Sequence, residues 1–272
     1  MKLQRVRLRN FRCFQAETSI DLESLTALVG RNDSGKSALL DALGMFFGEY
    51  IPDADDACIH GDKTDMTVIC EFGDLPRSIL IDADRRVSPA DEWLLNSQGL
   101  LEIHRVFNGA LQKPKLTRTF IVARHPSAEN YADLLYLKNR NLKSHAEQLG
   151  VDLADVDQRV NSELRQAIWR SQPNLRPQEQ EIDIEKEDAK KIWAALSKQL
   201  PVFAIFHSDR KSTDQDDEAQ GPLKSAVDEA LHSQEAALEA VTRFVHDQVL
   251  GIARATVDKL REMDPTVGDI QN

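Results

Sequence analysis

The sequence predicts an α/β fold: a mixed sheet around one central helix, an antiparallel β-subdomain beside it, and a short all-helical insertion. Three observations predict this. A short apolar run, Leu25–Val29, leads directly into a loop bracketed by two glycines and then into a helical stretch, Ala38–Leu43. Segments with period-two alternation surround that unit, at Met1–Phe14, Met66–Phe72, and the pair Leu101–Phe107 and Thr117–Val122. From Ala128 to Lys198 the pattern changes to charged sequence with apolar residues at helical spacing.

The 272 residues, 41% apolar, suffice for a substantial core. A formal net charge of −11 gives the chain as a whole no attraction for nucleic acid, so any DNA contact has to use a local patch or a further part. Cys13, Cys58 and Cys70 are spaced neither as a disulfide framework nor as a zinc site, which points to a reducing compartment. No run of eighteen apolar residues occurs and no charged-then-apolar leader opens the chain, so a cytoplasmic protein without a membrane partner is expected.

In the first strand, Val6 and Leu8 alternate with Arg5, Arg7 and Arg9. These arginines read as the wet face of that strand, with a DNA-binding stripe as the alternative. Ile20–Leu22 and then Leu25–Val29 continue a β-meander into Gly30-Arg31-Asn32-Asp33-Ser34-Gly35-Lys36-Ser37. This is the spacing G-x-x-x-x-G-K-S, and each fixed position has a task in holding a nucleoside triphosphate. Gly30 and Gly35 let consecutive backbone N–H groups turn inward around phosphates, with Asn32, Asp33, Ser34 and Ala38 contributing to the cradle. A helix opening at Lys36 adds its positive N-terminal end. Lys36 reaches the β- and γ-phosphates, and the Ser37 hydroxyl coordinates Mg²⁺. By composition alone such a pattern arises on the order of once in a hundred chains of this length.

Further along, the two alternating segments around Asn108-Gly109 read as a hairpin. In the helical insertion, Leu134, Leu135 and Leu137, then Leu153, Val156, Val160 and Leu164, then Ile192, Trp193 and Leu196 mark helix faces, interrupted by Pro173 and Pro177. Trp169 and Trp193 read as packing residues. Pro201–Phe206 is an apolar strand running to His207 and Asp209, followed by an acidic loop and a long helix from Pro222 to Met263. The expected domains are 1–125, an ATPase lobe; 126–199, the helical insertion; and 200–272, a return strand and a long helix.

An N-terminal strand ending in Asn10-Phe11-Arg12, then Gly30-x-Asn32-x-x-Gly35-Lys36-Ser37 with Leu-Leu-Asp-Ala-Leu after it, resembles the ATP-binding heads of the SMC, RecF and OLD (overcoming lysogenization defect) families. The resemblance covers the first ~125 residues, its specific motifs being those two. It implies an ABC-type P-loop NTPase head with ATP and Mg²⁺ as cofactors. Arg12, with Asn10 and Phe11, would then lie near the bound nucleotide. Asp33 stands where most members of this superfamily have glycine, which favours the OLD-like branch. Such heads also need a strand ending in Asp-Glu and a Ser-Gly-rich signature. Ile79–Asp84 and Asn96-Ser97-Gln98-Gly99 imitate these but precede the helical insertion, so the catalytic acid is unassigned and the chain is expected to stop before both motifs. Gln98, Gln112 and Gln148 are the candidates for a γ-phosphate-sensing glutamine. By resemblance the complete protein is an ATPase that processes DNA, in repair or anti-phage defence, linked to a Toprim endonuclease. It forms a homodimer or higher oligomer through its heads, with DNA and a second defence-system subunit as partners. The alternative is a nucleotide-gated interaction module that does not hydrolyse ATP and needs a partner polypeptide for its other half-site.

Overall fold

A computed structural model describes residues 1–82 and 85–205. The first 205 residues form one compact unit. Strand β1 (Lys2–Arg9) turns back into β2 (Thr18–Asp21), and helix α1 (Lys36–Phe47) follows the glycine loop. Strand β3 (Met66–Gly73) comes next, then a two-stranded ribbon of β4 (Ile79–Asp82) and β5 (Arg85–Val87), then the hairpin β6 (Leu101–Asn108) and β7 (Lys115–His125). Helices α2 (Asn139–Gln148) and α3 (Asn161–Arg170) precede β8 (Gln178–Asp183) and α4 (Glu187–Ser197). Six strands pair in the order β2-β1-β3-β6-β7-β8. Every pairing in this sheet is antiparallel.

Several expectations need correction here. Among the described residues the sheet is not mixed, and Leu25–Val29 is not a strand: Leu25 is 91% and Val29 94% exposed. An apolar run becomes a buried strand only when neighbours satisfy its backbone on both edges. Here β2 already occupies the free edge of β1, and no described strand lies beside 25–29. The insertion is not all-helical either, because β8 joins the sheet along β7 from Phe120↔Asp183 to His125↔Gln178. Its sequence, Gln-Glu-Gln-Glu-Ile-Asp, buries only Ile182, as a solvated edge strand does, so its composition mimics an exposed helix. Leu153 and Val156 sit in the connection between α2 and α3 rather than on a helix. Asp84, His207, Asp209, the acidic loop and the long helix from Pro222 lie outside the described residues.

The pleat sorts the sheet into two faces. Val6 and Leu8 on β1, Val68, Cys70 and Phe72 on β3, and Leu101 and Ile103 on β6 share one core with Leu39, Ala42 and Phe46 of α1 and Ile192 and Leu196 of α4. Arg105, half-buried over the Phe46 ring at 4.9 Å, donates to the Phe46 carbonyl at the C-terminal end of α1, where a cation complements the helix dipole. Pro201–Ile205 is not assigned to a strand, but Phe203 stacks on Phe47 with centroids 5.4 Å apart.

The opposite face carries ion pairs. Arg5 meets Asp21 at 2.6 Å and Glu71 at 3.3 Å; Arg7 meets Glu17 at 2.9 Å, Glu71 at 3.1 Å, and Glu102; Arg9 meets Asp65 at 2.8 Å. Burial opposes the Glu102 carboxylate, yet hydrogen bonds from His104 and Asn96 and the Arg7 charge hold its pKa down to about 2. Burial raises that of its cross-strand neighbour Glu71. Arg5, Arg7 and Arg9 are therefore not a solvated face, and their charge is already matched by carboxylates, which removes the basis for a DNA stripe on β1.

A smaller core unites Leu142 and Ala146 of α2, Leu164, Ile168 and Trp169 of α3, and Leu134. Trp169 is 3% exposed and donates Nε1–H to the Tyr131 carbonyl at 3.0 Å, so it packs rather than presenting a stacking platform. A buried ion network ties this core to the segment before β6 and to α4. Arg165 holds both oxygens of Glu92, at 2.7 and 2.9 Å, and Asp188 at 2.5 Å.

Candidate functional site

The glycine loop and the turn after β1 meet at a cleft of about 490 Å³, lined by Arg12, Cys13, Asn32, Asp33, Gly35, Lys36, Ser37 and Ala38. The local conformations explain why these residue types stand there. Gly35 has φ +90° at the N-cap of α1, and a Cβ on it would lie 2.9 Å from Cys13 Sγ and from Phe14 Cζ. Only glycine fits that close approach in that conformation. Asp33, at φ 65°, is also left-handed, a region that aspartate tolerates better than most residues. This gives a physical reason why Asp can stand at this position of the loop. A Cβ at Gly30 would meet Ser34 Oγ at 2.6 Å, so the loop closes tightly on itself.

Helix α1 starts with no side-chain cap and no acidic residue in its first turn. Its first N–H groups and the positive end of its dipole therefore remain for an anion. Lys36 Nζ curls back to donate to the Gly30 and Arg31 carbonyls, both at 2.7 Å, and lies 3.5 Å from Ser34 Oγ. These contacts keep the ammonium at the loop, ready to exchange carbonyl oxygens for phosphate oxygens. The donor set of backbone amides, one ammonium and one hydroxyl fits a triphosphate. Among the described residues no cluster of three acids, histidines or cysteines could hold a metal alone. Where Mg²⁺ accompanies the triphosphate, the Ser37 hydroxyl and the phosphates would hold it jointly.

Arg12 completes the cleft from the other side. The turn that delivers it has Asn10 at φ 56° and Arg12 at φ 45°, with Phe11 fully buried between them. Asn10 is fixed by Nδ2–H to the Asp65 carbonyl at 2.9 Å and by the Asp62 amide donating to its Oδ1 at 3.2 Å. Arg12 donates Nε–H to Asp56 at 2.7 Å, Nη1–H to Asp41 on α1 at 2.5 Å, and Nη2–H to Tyr50 Oη at 2.9 Å. Burial works against the Arg12 charge, but the hydrogen bonds to Asp56 and Asp41 outweigh it and raise its pKa. Burial and the hydrogen bond to Asp56 push the Tyr50 hydroxyl up to about 12.

A family model described as AAA ATPase domain matches residues 1–272. The chain belongs to this AAA ATPase domain family. Comparison with curated proteins finds no match. Membership in an ATPase family suggests ATP as the ligand of the cleft, and hydrolysis as the reaction class. No helix among the described residues of this AAA ATPase domain is long and apolar enough to cross a membrane.

Of the residues singled out in the sequence, Asn32, Asp33, Gly35, Lys36, Ser37, Ala38 and Arg12 line the cleft, and Gly30 and Ser34 shape its loop. Asn10 and Phe11 do not line it; they are buried and support the turn. None of Gln98, Gln112 and Gln148 lines it, and Gln98 instead accepts from Arg5 at 3.1 Å. Sequence reasoning missed Cys13, Asp41, Tyr50 and Asp56. Cys13 could have been found from its place directly after the Asn-Phe-Arg motif, and Asp41 from its place in the Leu-Leu-Asp-Ala-Leu stretch, whereas Tyr50 and Asp56 have no distinguishing local pattern.

Cys13 is exposed, while Cys58 and Cys70 are buried. A maleimide should therefore label Cys13 first, and saturating Mg-ATP should slow that labelling at least about fivefold by occupying the cleft. Quantifying labelled peptide by mass spectrometry checks this; equal rates with and without nucleotide would place the ligand elsewhere.

Proposed function

We propose that this AAA ATPase domain is the nucleotide-gated head of an ATP-dependent DNA-processing protein of the OLD-like type. The observation that carries the proposal is the convergence of the Asn10-Phe11-Arg12 turn and the Lys36 loop on one cleft. Lys36, Ser37 and the first amides of α1 bind the triphosphate, and Arg12, which lines the same cleft, adds a second cation. Binding energy gathered there drives the association of two heads. In the complete protein this association is coupled to DNA, with a Toprim nuclease and a second defence-system subunit as further components.

A second reading is favoured by one feature. Among the described residues the carboxylate lining the cleft is that of Asp33, and the Asp41 and Asp56 carboxylates are engaged with Arg12. Asp41 and Asp56 are thereby committed to Arg12 rather than to activating water, which fits a module that binds ATP and changes partners without cleaving it. The exposed run Leu25–Val29 agrees with a half-site completed by another segment or polypeptide.

Steady-state phosphate release with and without duplex DNA, together with sedimentation in ADP and ATP, separates the two. A DNA-responsive turnover and an ATP-dependent dimer support the head of a DNA-processing ATPase. Absence of both, with ATP still bound, supports the binding module.

A further inference from the structure

We propose that Asp56, backed by Tyr50, is a positioning residue for nucleotide binding that acts through Arg12. This inference rests on the cleft being the ATP site. Asp56 is 1% exposed, and its carboxylate is held from several sides. The Asp53 amide donates to Oδ2 at 2.8 Å, and Tyr50 Oη donates to the same oxygen at 2.9 Å. Arg12 Nε–H then takes Oδ1 at 2.7 Å. The short turn Ala54–Asp56 is itself closed by a capping box in which the Asp53 side chain accepts the Asp55 amide at 2.8 Å. A buried carboxylate fixed in this way cannot follow a moving guanidinium, so it sets where the guanidinium rests.

The backbone points to the same role. The Arg12 amide donates to the Asp56 carbonyl at 2.7 Å, so main chain and side chain of the two residues are joined. Arg12 holds a left-handed conformation that costs a non-glycine residue energy, and such strain persists only where surrounding contacts over-determine it. Three of the five guanidinium N–H donors are engaged among the described residues, by Asp56, Asp41 and Tyr50. The remaining two are available to a phosphate in the cleft that Arg12 lines. The Tyr50 ring, 5.7 Å from the guanidinium carbon, and the Phe11 ring, 5.3 Å from it, limit its swing. Asp41 differs from Asp56 in being partly exposed and carried on α1, so it is the partner that Arg12 can exchange for phosphate while Asp56 stays in place.

The test is a double-mutant cycle on ATP affinity in the full chain, using a fluorescent ATP analogue and variants Arg12→Ala, Asp56→Asn and the pair. Each single variant should weaken binding roughly tenfold, and the pair should bind no more weakly than Arg12→Ala alone. Tyr50→Phe, which removes a single hydroxyl, should weaken binding about threefold in the wild-type background and leave Arg12→Ala unchanged. Effects of Asp56→Asn and Tyr50→Phe that multiply with Arg12→Ala, or an Asp56→Asn affinity equal to wild type, would overturn the positioning role. If Asp56→Asn does not fold, the Tyr50→Phe arm decides alone. Failure of the ATP site itself is distinguishable, because the unaltered chain would then bind no nucleotide in a Lys36-dependent way.

Discussion

Replacing Lys36 with alanine is expected to weaken ATP binding by at least about a hundredfold while leaving the fold intact. The ammonium of Lys36 is free to follow the phosphates inward, because it rests at 2.7 Å from two loop carbonyls rather than in a salt bridge among the described residues. Charge-assisted hydrogen bonds to phosphate are each worth roughly 1.5–3 kcal/mol, and losing one or two of them accounts for about a hundredfold. Lys36 makes no buried contact that holds the core; its bonds are exposed ones to its own loop. Surface changes of this kind stay within about 0.5 kcal/mol of stability, so the melting temperature should hardly move. Calorimetric titration with Mg-ATP, beside a thermal melt, checks both parts. Unchanged affinity in a folded variant would remove the role assigned to the lysine, and with it the main support for ATP in this cleft.

Arg165→Ala should produce the largest loss of stability of any single change considered, about 3–5 kcal/mol. Arg165 is 1% and Glu92 0% exposed, so truncation leaves a carboxylate in the interior with neither water nor a cation to receive it. The same guanidinium also holds Asp188 at the start of α4, which Asn161 of α3 binds at 2.7 Å, so three segments lose their junction together. For a domain of this size each kcal/mol lowers the melting temperature by roughly 2–4 °C, giving a drop of about 6–20 °C. The pH dependence carries a distinct sign. Burial raises the Glu92 pKa, and without Arg165 nothing opposes that rise. A carboxyl whose folded pKa lies above its unfolded value favours the folded state when protonated, and loses that advantage as pH rises through the unfolded and then the folded value. The deficit of Arg165→Ala should therefore be larger at pH 8 than at pH 5. Glu92→Gln in the same background should recover part of it by removing the stranded charge. Circular dichroism melts at the two pH values decide; a deficit independent of pH would mean that Glu92 is solvated when its partner is removed.

Legibility from sequence followed the range of the interaction involved. The glycine loop, α1, β1, β2 and the β6–β7 hairpin were readable because their determinants, glycine spacing and period-two alternation, lie within a few residues, although the hairpin turns over 109–114 and not at Asn108-Gly109 itself. Strand β8 was misread because an edge strand that buries only Ile182 has the composition of a solvated helix, and only its pairing with β7 tells them apart. Leu25–Val29 was misread in the opposite sense. Its residues are those of a buried strand, but burial depends on neighbours, and among the described residues no strand pairs with it and only Leu28 packs against the core. The arginines of β1 looked solvated, since alternation reveals that a face exists but not that Glu17, Glu71 and Glu102 come to meet it from elsewhere in the chain.

By itself, then, the amino-acid order determined the loop that we propose holds the phosphates, because a loop that must bend tightly and present amides, an ammonium and a hydroxyl can be built only from a few residue types at fixed spacing. Tertiary structure alone decided how Arg12 is held. Asp41, Tyr50 and Asp56 lie 29, 38 and 44 positions away in the chain, and nothing local to them points to Arg12. Their convergence on one guanidinium arises when α1 packs on the sheet and the following turn closes against the end of β1. A carboxylate's effect depends on what folding brings within hydrogen-bonding distance, and that separation in space is not encoded in separation along the chain.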